Sequence, residues 1–203
     1  FYRNPGADMM LTEEEVDVAQ IKDSRIFHFG TLSMTHEGVC KATEKAIQAA
    51  KEHGVLISFD PNLRVPLWKD LKRAKEKMEY GLSVCDVCKI SEEEVEFLTG
   101  EKDIEKGAAI LREKFPVKLF QVTAGAEGSY AFYKELMVYK PSFKLGGTIE
   151  TTGAGDTFCG SILHGLLERD IDSLTEQDLE QMLTFANAAA YLVTTKKGAI
   201  RSM

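Results

Sequence analysis

The residues best suited to chemistry are Thr151-Thr152-Gly153-Ala154-Gly155-Asp156, which lead directly into Thr157-Phe158-Cys159-Gly160-Ser161-Ile162-Leu163-His164-Gly165-Leu166-Leu167. This pattern predicts a small-residue turn that opens a helix, with one carboxylate in the helix's first turn. Glycine and alanine let backbone N–H groups converge without a side chain in the way. A helix N-terminus leaves its first amides unpaired and carries partial positive charge, so the turn suits an anion such as phosphate. An acid in the same turn can take a proton from a hydroxyl attacking that phosphate. The pattern therefore reads as an anion hole plus a general base, the parts needed for phosphoryl transfer to an alcohol. The plainer reading is a Gly-rich strand-to-helix turn in which Asp156 merely caps the helix.

The chain has 203 residues, 44% hydrophobic and 28% charged. That composition fits one α/β domain with a real core. A net charge of -7 argues against a general nucleic-acid or membrane-surface role. It leaves room for an anionic nucleotide held by local amides and a metal ion. No apolar run reaches membrane-spanning length, and the opening residues 1–6 do not read as a signal peptide. Cys85 and Cys88 form a C-x-x-C, a spacing shared with redox sites and zinc half-sites. They lie in the strand-like run Val84–Ile90, where residues three apart face opposite sides. Buried free thiols in a reducing cytoplasm are the expected state.

Strand and helix signals alternate along the chain. A short strand is expected over 25–30. Thr35 can cap a helix to about His53, with Val39, Ala42, Ala46, Ala49 and Ala50 on one face and Gly54 as its stop. A buried strand over 55–59 runs into the polar loop Asp60–Arg64. A charged helix follows from Lys72 to Tyr80, then a strand over 84–90. Next come a helix capped at Ser91 and stopped at Gly100, a helix over 104–115 and a strand over 118–123. The turn 124–128 leads into alternating residues that read as a hairpin. The motif helix precedes a last helix over 176–192. Alternation of this kind implies an α/β fold: a mostly parallel, doubly wound sheet with helices on both faces. Ligands in such sheets gather at the carboxyl ends of strands, where the loops 60–64, 89–94 and 123–128 fall.

The run Thr151–Phe158 resembles the C-terminal signature of the ribokinase-like (PfkB) carbohydrate kinases. Residues 1–9, Phe59–Arg64, Lys89–Glu94, Asn187–Ala190 and Gly198-Ala199 resemble the fructokinase branch, and the resemblance covers the whole chain in order. It implies a ribokinase-like fold whose N-terminal part and β lid are absent from this sequence, residues 1–8 being the last piece of that region. It also implies ATP-dependent phosphorylation of a primary sugar hydroxyl, most simply that of fructose, with Mg2+ and a possible monovalent cation such as K+. Asp156 matches the family's base, and Gly153, Ala154 and Gly155 its anion hole. Glu94 matches the acid acting on magnesium through water, with Ser91 where the family usually has Asn. Lys89 matches a phosphate contact, and Thr123, Gly125 and Gly128 the nucleotide loop. Asn187, Gly198 and Ala199 match the flank of the adenine, Arg64 a phosphate or sugar contact and Arg3 a sugar contact. Glu150 stands where an Asp near the cation is usual. A homodimer of the full-length protein belongs to the same expectation, and neither nucleic acid nor membrane is an expected partner.

Several of these residues have plainer readings. Glu94 lies in a run of acids that could be a solvated helix face. The turn 123–128 could be an ordinary hairpin, Asn187 a satisfied buried amide and Lys89 a solvated strand end. His28 and His36 suit capping or packing, and Trp68 suits packing on the sheet. No G-x-x-x-x-G-K-[ST] P-loop is present, nor a G-x-G-x-x-G after an early strand. Two other functions remain open. One is a truncated nucleotide-binding module without activity; the other is a 2-keto-3-deoxygluconate kinase, with Arg3 pairing the sugar-acid carboxylate.

Overall fold

Caps and apolar spacing account for most of the elements. The structure, a computed structural model, describes residues 6–198. Its elements are α1 (Val18–Lys22), β1 (Ile26–Gly30), α2 (Glu37–Glu52), β2 (Leu56–Asp60), α3 (Leu71–Val84), β3 (Val87–Ser91), α4 (Glu92–Thr99), α5 (Ile104–Lys114), β4 (Leu119–Thr123), β5 (Gly128–Tyr133), β6 (Leu136–Pro141), α6 (Ala154–Leu167) and α7 (Glu176–Thr194). The six strands form one mostly parallel sheet in chain order. β1, β2 and β3 run parallel, whereas β4, β5 and β6 form an antiparallel meander. The fold class is thus α/β, and the alternating run after residue 128 is the hairpin its pattern implies. No helix among the described residues is long and apolar enough to cross a membrane.

The chain divides into two compact units, one running to Cys88 and including Ile110–Val117, the other comprising Lys89–Ala109 and the chain from Lys118 onward. In the first unit, α2 buries Val39, Ala42, Ala46, Ala49 and Ala50, the face read from sequence. The helix begins later than Thr35, however. His36 is its N-cap, without a side-chain hydrogen bond. The Thr35 hydroxyl instead donates to the Leu32 carbonyl at 2.9 Å, a local bond that competes with capping. Phe59 of β2 lies 4.8 Å, ring to ring, from Phe29 of β1. On its other flank it fits against α3 because residue 81 is glycine: a Cβ there would meet the ring at 2.3 Å. That helix continues to Val84, so β3 starts at Val87 rather than at residue 84. All four cysteines are buried free thiols.

In the second unit, α4 starts with the capping box its sequence announces. The Ser91 hydroxyl accepts from the Glu94 N–H at 3.3 Å, and the Glu94 carboxylate accepts from the Ser91 N–H at 2.9 Å. Gly100 ends the helix in the left-handed conformation, as expected of a glycine stop. α6 and α7 pack closely where a Cβ on Gly165 would lie 2.9 Å from Met182. α7 opens with a second capping box: Asp178 accepts from the Thr175 N–H at 3.0 Å and from the Thr175 hydroxyl at 2.6 Å. Arg169 donates to its other oxygen at 2.9 Å.

These bonds, led by that of the Thr175 hydroxyl, lower the Asp178 carboxyl from 3.8 to about 2. A depressed carboxylate contributes stability that is complete above the unfolded pKa and is lost as pH falls through the folded one. Asp178→Asn should therefore lower the urea midpoint near neutral pH, and its gap to the parent should narrow between about pH 4 and about pH 2. A gap that stays constant over that range would remove the carboxylate from the account.

Candidate active site

The motif turn folds as a helix start with its donors exposed. Gly153 is the N-cap of α6, at φ 80° and ψ -3°. That left-handed conformation favours glycine. The Ala154 N–H is taken by the Thr151 carbonyl at 3.2 Å, and the Thr157 N–H by Gly153 at 2.8 Å. The N–H groups of Gly155 and Asp156 find no acceptor among the described residues. Two adjacent unpaired donors at the positive end of a helix form a site for an oxyanion. The open donors of this turn are those of Gly155 and Asp156, while Gly153 supplies the turn and Ala154 is engaged.

Asp156 is the third residue of α6 and is solvent-exposed. Its carboxylate makes no hydrogen bond among the described residues, so it does not act as a cap. Lys89, on β3, is 7% exposed, and its ammonium nitrogen would lie 3.2 Å from a Cβ on Gly155. A buried cation thus borders the same turn, and glycine at 155 leaves it room. Glu94 is buried, unlike its exposed neighbours Glu92 and Glu93. The solvated-face reading of the acid run therefore holds for those two and not for Glu94.

A cleft of about 570 Å³ opens beside this turn, within the usual size range for a small-molecule site. Ala154 and Gly155 form one wall and Gly125 and Ala126, after β4, another. The remaining walls come from the segment after β6, with Phe143, Lys144 and Gly146, and from Ala190, Tyr191 and Thr194 on α7. The Tyr191 hydroxyl donates to the Gly146 carbonyl, and Lys144 pairs with Glu127 at 3.0 Å.

The other residues singled out from sequence fall in several places. The Thr123 hydroxyl, at the end of β4, donates to the Ile90 carbonyl at 3.4 Å. Gly125 lines the cleft. Gly128 starts β5, where a Cβ would lie 2.2 Å from the Lys140 carbonyl oxygen, so its glycine serves the approach of β6. Asn187 is a satisfied buried amide: it accepts from Ser129 at 2.9 Å and donates to the carbonyls of Lys140 at 3.0 Å and Pro141 at 3.3 Å. The Gly198 N–H donates to Glu150 at 2.7 Å. Arg64 belongs to the other unit and is exposed, its guanidinium 3.3 Å from the Leu63 carbonyl. Arg3 and Ala199 lie outside the described residues. Sequence reasoning missed Phe143, Lys144, Tyr191 and Thr194. One signal was present for the last two: Asn187, Ala190, Tyr191 and Thr194 follow helical spacing along one stripe.

The sequence pattern of the pfkB family carbohydrate kinases matches residues 1–203, and the chain belongs to that family. It is 40% identical over 204 residues to Fructokinase-1 of Oryza sativa subsp. japonica, covering 100% of this chain and 62% of the rice protein. It is 42% identical over 205 residues to Fructokinase-2 of Zea mays, covering 100% of this chain and 60% of the maize protein. Among solved structures, the fructokinase of Xylella fastidiosa with bound ATP superposes with a TM-score of 0.89 at 28% identity, covering 100% of this chain and 65% of that one. A double-mutant fructokinase of Vibrio cholerae O395 in fructose, ADP and potassium ion bound form gives 0.88 at 29%, covering 98% of this chain and 62% of that one. The chain therefore spans less than two thirds of the length of these relatives.

Gly155→Ala separates binding from folding. A helix favours alanine over glycine by about 1 kcal/mol, which offsets crowding at Lys89, so the urea midpoint should stay close to the parent's. Affinity for ADP, read by calorimetry, should fall at least tenfold, by about 1.4 kcal/mol. Unchanged ADP affinity would remove this turn from phosphate binding.

Proposed function

We propose that this chain carries the nucleotide site and catalytic turn of an ATP-dependent sugar kinase whose acceptor is fructose. The observation that carries the reading is the first turn of α6. There an exposed, unbonded carboxylate, two unpaired N–H groups and a buried lysine gather at one turn, whose Ala154 and Gly155 line a cleft of nucleotide size. Asp156 takes the proton of the sugar's primary hydroxyl as that oxygen attacks the γ-phosphorus. The Gly155 and Asp156 amides, on the turn made by Gly153 and Ala154, receive the charge developing on the transferring group. Lys89 adds a fixed positive charge beside them. Thr123 and Gly125 shape the loop along the phosphates, and Gly128 and Asn187 hold its sheet and helix in place. Gly198 and Ala199 flank the base.

Magnesium, when bound with ATP, neutralises the leaving phosphates. Glu94 is its candidate acid on this chain. No group of three His, Cys, Asp or Glu side chains among the described residues could hold a metal ion, so a magnesium ion held here would need oxygen donors from the nucleotide and water as well. Glu150 is the candidate acid for a monovalent cation. Fructose is favoured over 2-keto-3-deoxygluconate by the names of the relatives; Arg3 and Arg64 are its candidate contacts here. A cytoplasmic setting and a homodimer of the full-length protein accompany this reading. The second reading is a nucleotide-binding module that does not turn over.

Calorimetry with ADP and then fructose, beside a coupled assay of ADP release, separates the two. Turnover supports the kinase; ADP binding without fructose binding or turnover supports the module. In a turning-over protein, Asp156→Asn should keep ADP affinity and lower kcat by about two to four orders of magnitude. A variant that retains more than half its rate excludes Asp156 as the base.

A further inference from the structure

Among the described residues that line the cleft beside α6, Lys144 carries a charge and its neighbours do not. Its ammonium is held by the Glu127 carboxylate at 3.0 Å. The two side chains are 60% and 75% exposed, and an ion pair in that setting contributes little, because water screens it and two long side chains must be held still. The partners differ in how they are anchored. The Glu127 carbonyl accepts from the Tyr139 hydroxyl at 2.7 Å and from the Ser142 N–H at 3.4 Å, which ties the acid to β6. Lys144 is followed closely by Gly146 and Gly147, both at positive φ with open space where side chains would be. Its charge sits on a flexible four-carbon stem. The acid is therefore the fixed partner and the cation the one that can turn.

We infer that Lys144 is a nucleotide-binding residue: it exchanges the Glu127 carboxylate for the polyphosphate of the ligand, and Glu127 acts as a brake on nucleotide affinity. This rests on reading the cleft as the nucleotide site. A polyphosphate seated on the turn of α6 brings several negative charges into the cleft that Lys144 lines, against the single charge of Glu127, and phosphate oxygens are strong acceptors for an ammonium. Removing the acid's charge releases the lysine before the ligand arrives. Removing the lysine leaves the acid with nothing to withhold. The two residues therefore act as a unit, and a double-mutant cycle separates that coupling from the simple repulsion of one anion by another.

Calorimetry with magnesium and ADP tests this on the parent chain, Lys144→Met, Glu127→Gln and the double variant. Because the pair is exposed, all of them should unfold near the parent's urea midpoint. Lys144→Met should weaken ADP about fivefold, and Glu127→Gln should tighten it about threefold. In the Lys144→Met background the gain from Glu127→Gln should vanish. Lys144→Arg, which keeps the charge, should recover most of the loss seen in Lys144→Met. Unchanged ADP affinity in Lys144→Met, or an equal gain from Glu127→Gln with and without the lysine, overturns the inference and leaves the nucleotide site standing. A loss in Lys144→Arg as large as that in Lys144→Met also overturns it, since shape rather than charge would then carry the effect. A parent chain that binds no ADP overturns the inference together with the nucleotide reading of the cleft.

Discussion

A helix cannot satisfy its own first amides, and the arrangement of this chain around α6 follows from that. Two of them, on Gly155 and Asp156, are left without an acceptor among the described residues. Water can serve them, but an oxyanion serves them better because the peptide dipoles of the helix already favour negative charge there. The left-handed Gly153 aims the turn. The missing side chain at Gly155 brings the Lys89 ammonium alongside. A donor pair, a cation and a carboxylate are thus gathered by backbone geometry and one buried side chain.

The surrounding structure keeps that turn in position. α6 lies tightly on α7 through the glycine at 165. α7 is in turn fixed to the meander by the amide of Asn187, which reaches the backbone of β6 and the hydroxyl of Ser129 on β5. The Ser91–Glu94 capping box does similar work for the segment that follows Lys89. Each tie is a hydrogen bond or a close approach in which a specific residue type is needed, so α6, α7 and the meander are set against one another before any ligand arrives.

The parts of the fold legible in the sequence were those whose signals are local. The Ser91 cap, the Gly100 stop, the apolar face of α2 and the turn at Gly153 each declare themselves within a few residues, and each has the form its residues imply. The start of α2 was misplaced because Thr35 has a nearer carbonyl to bond. The cleft walls were harder to read, since Phe143, Tyr191 and Ala126 meet only through the tertiary fold. Asn187 shows the difference. Its stripe on α7 was visible and does lead into the cleft wall, but the amide itself turns to β6, a strand partner that helical spacing does not reveal.

Between β6 and α6 the chain lines one side of the cleft without regular secondary structure. Gly146 and Gly147 both adopt positive φ, with open space where side chains would be, and Leu145 stands almost fully out in solvent. The tyrosine hydroxyl on Gly146, the ion pair at Lys144, the Ser142 N–H on Glu127, the Ile149 and Glu150 N–H groups on Thr194 and the Gly198 N–H on Glu150 are among the attachments of this stretch. Such a flap lifts by breaking a few weak bonds without disturbing any packed core. Amide deuteration at Gly146 and Gly147 would then outpace that of β6 and of α6.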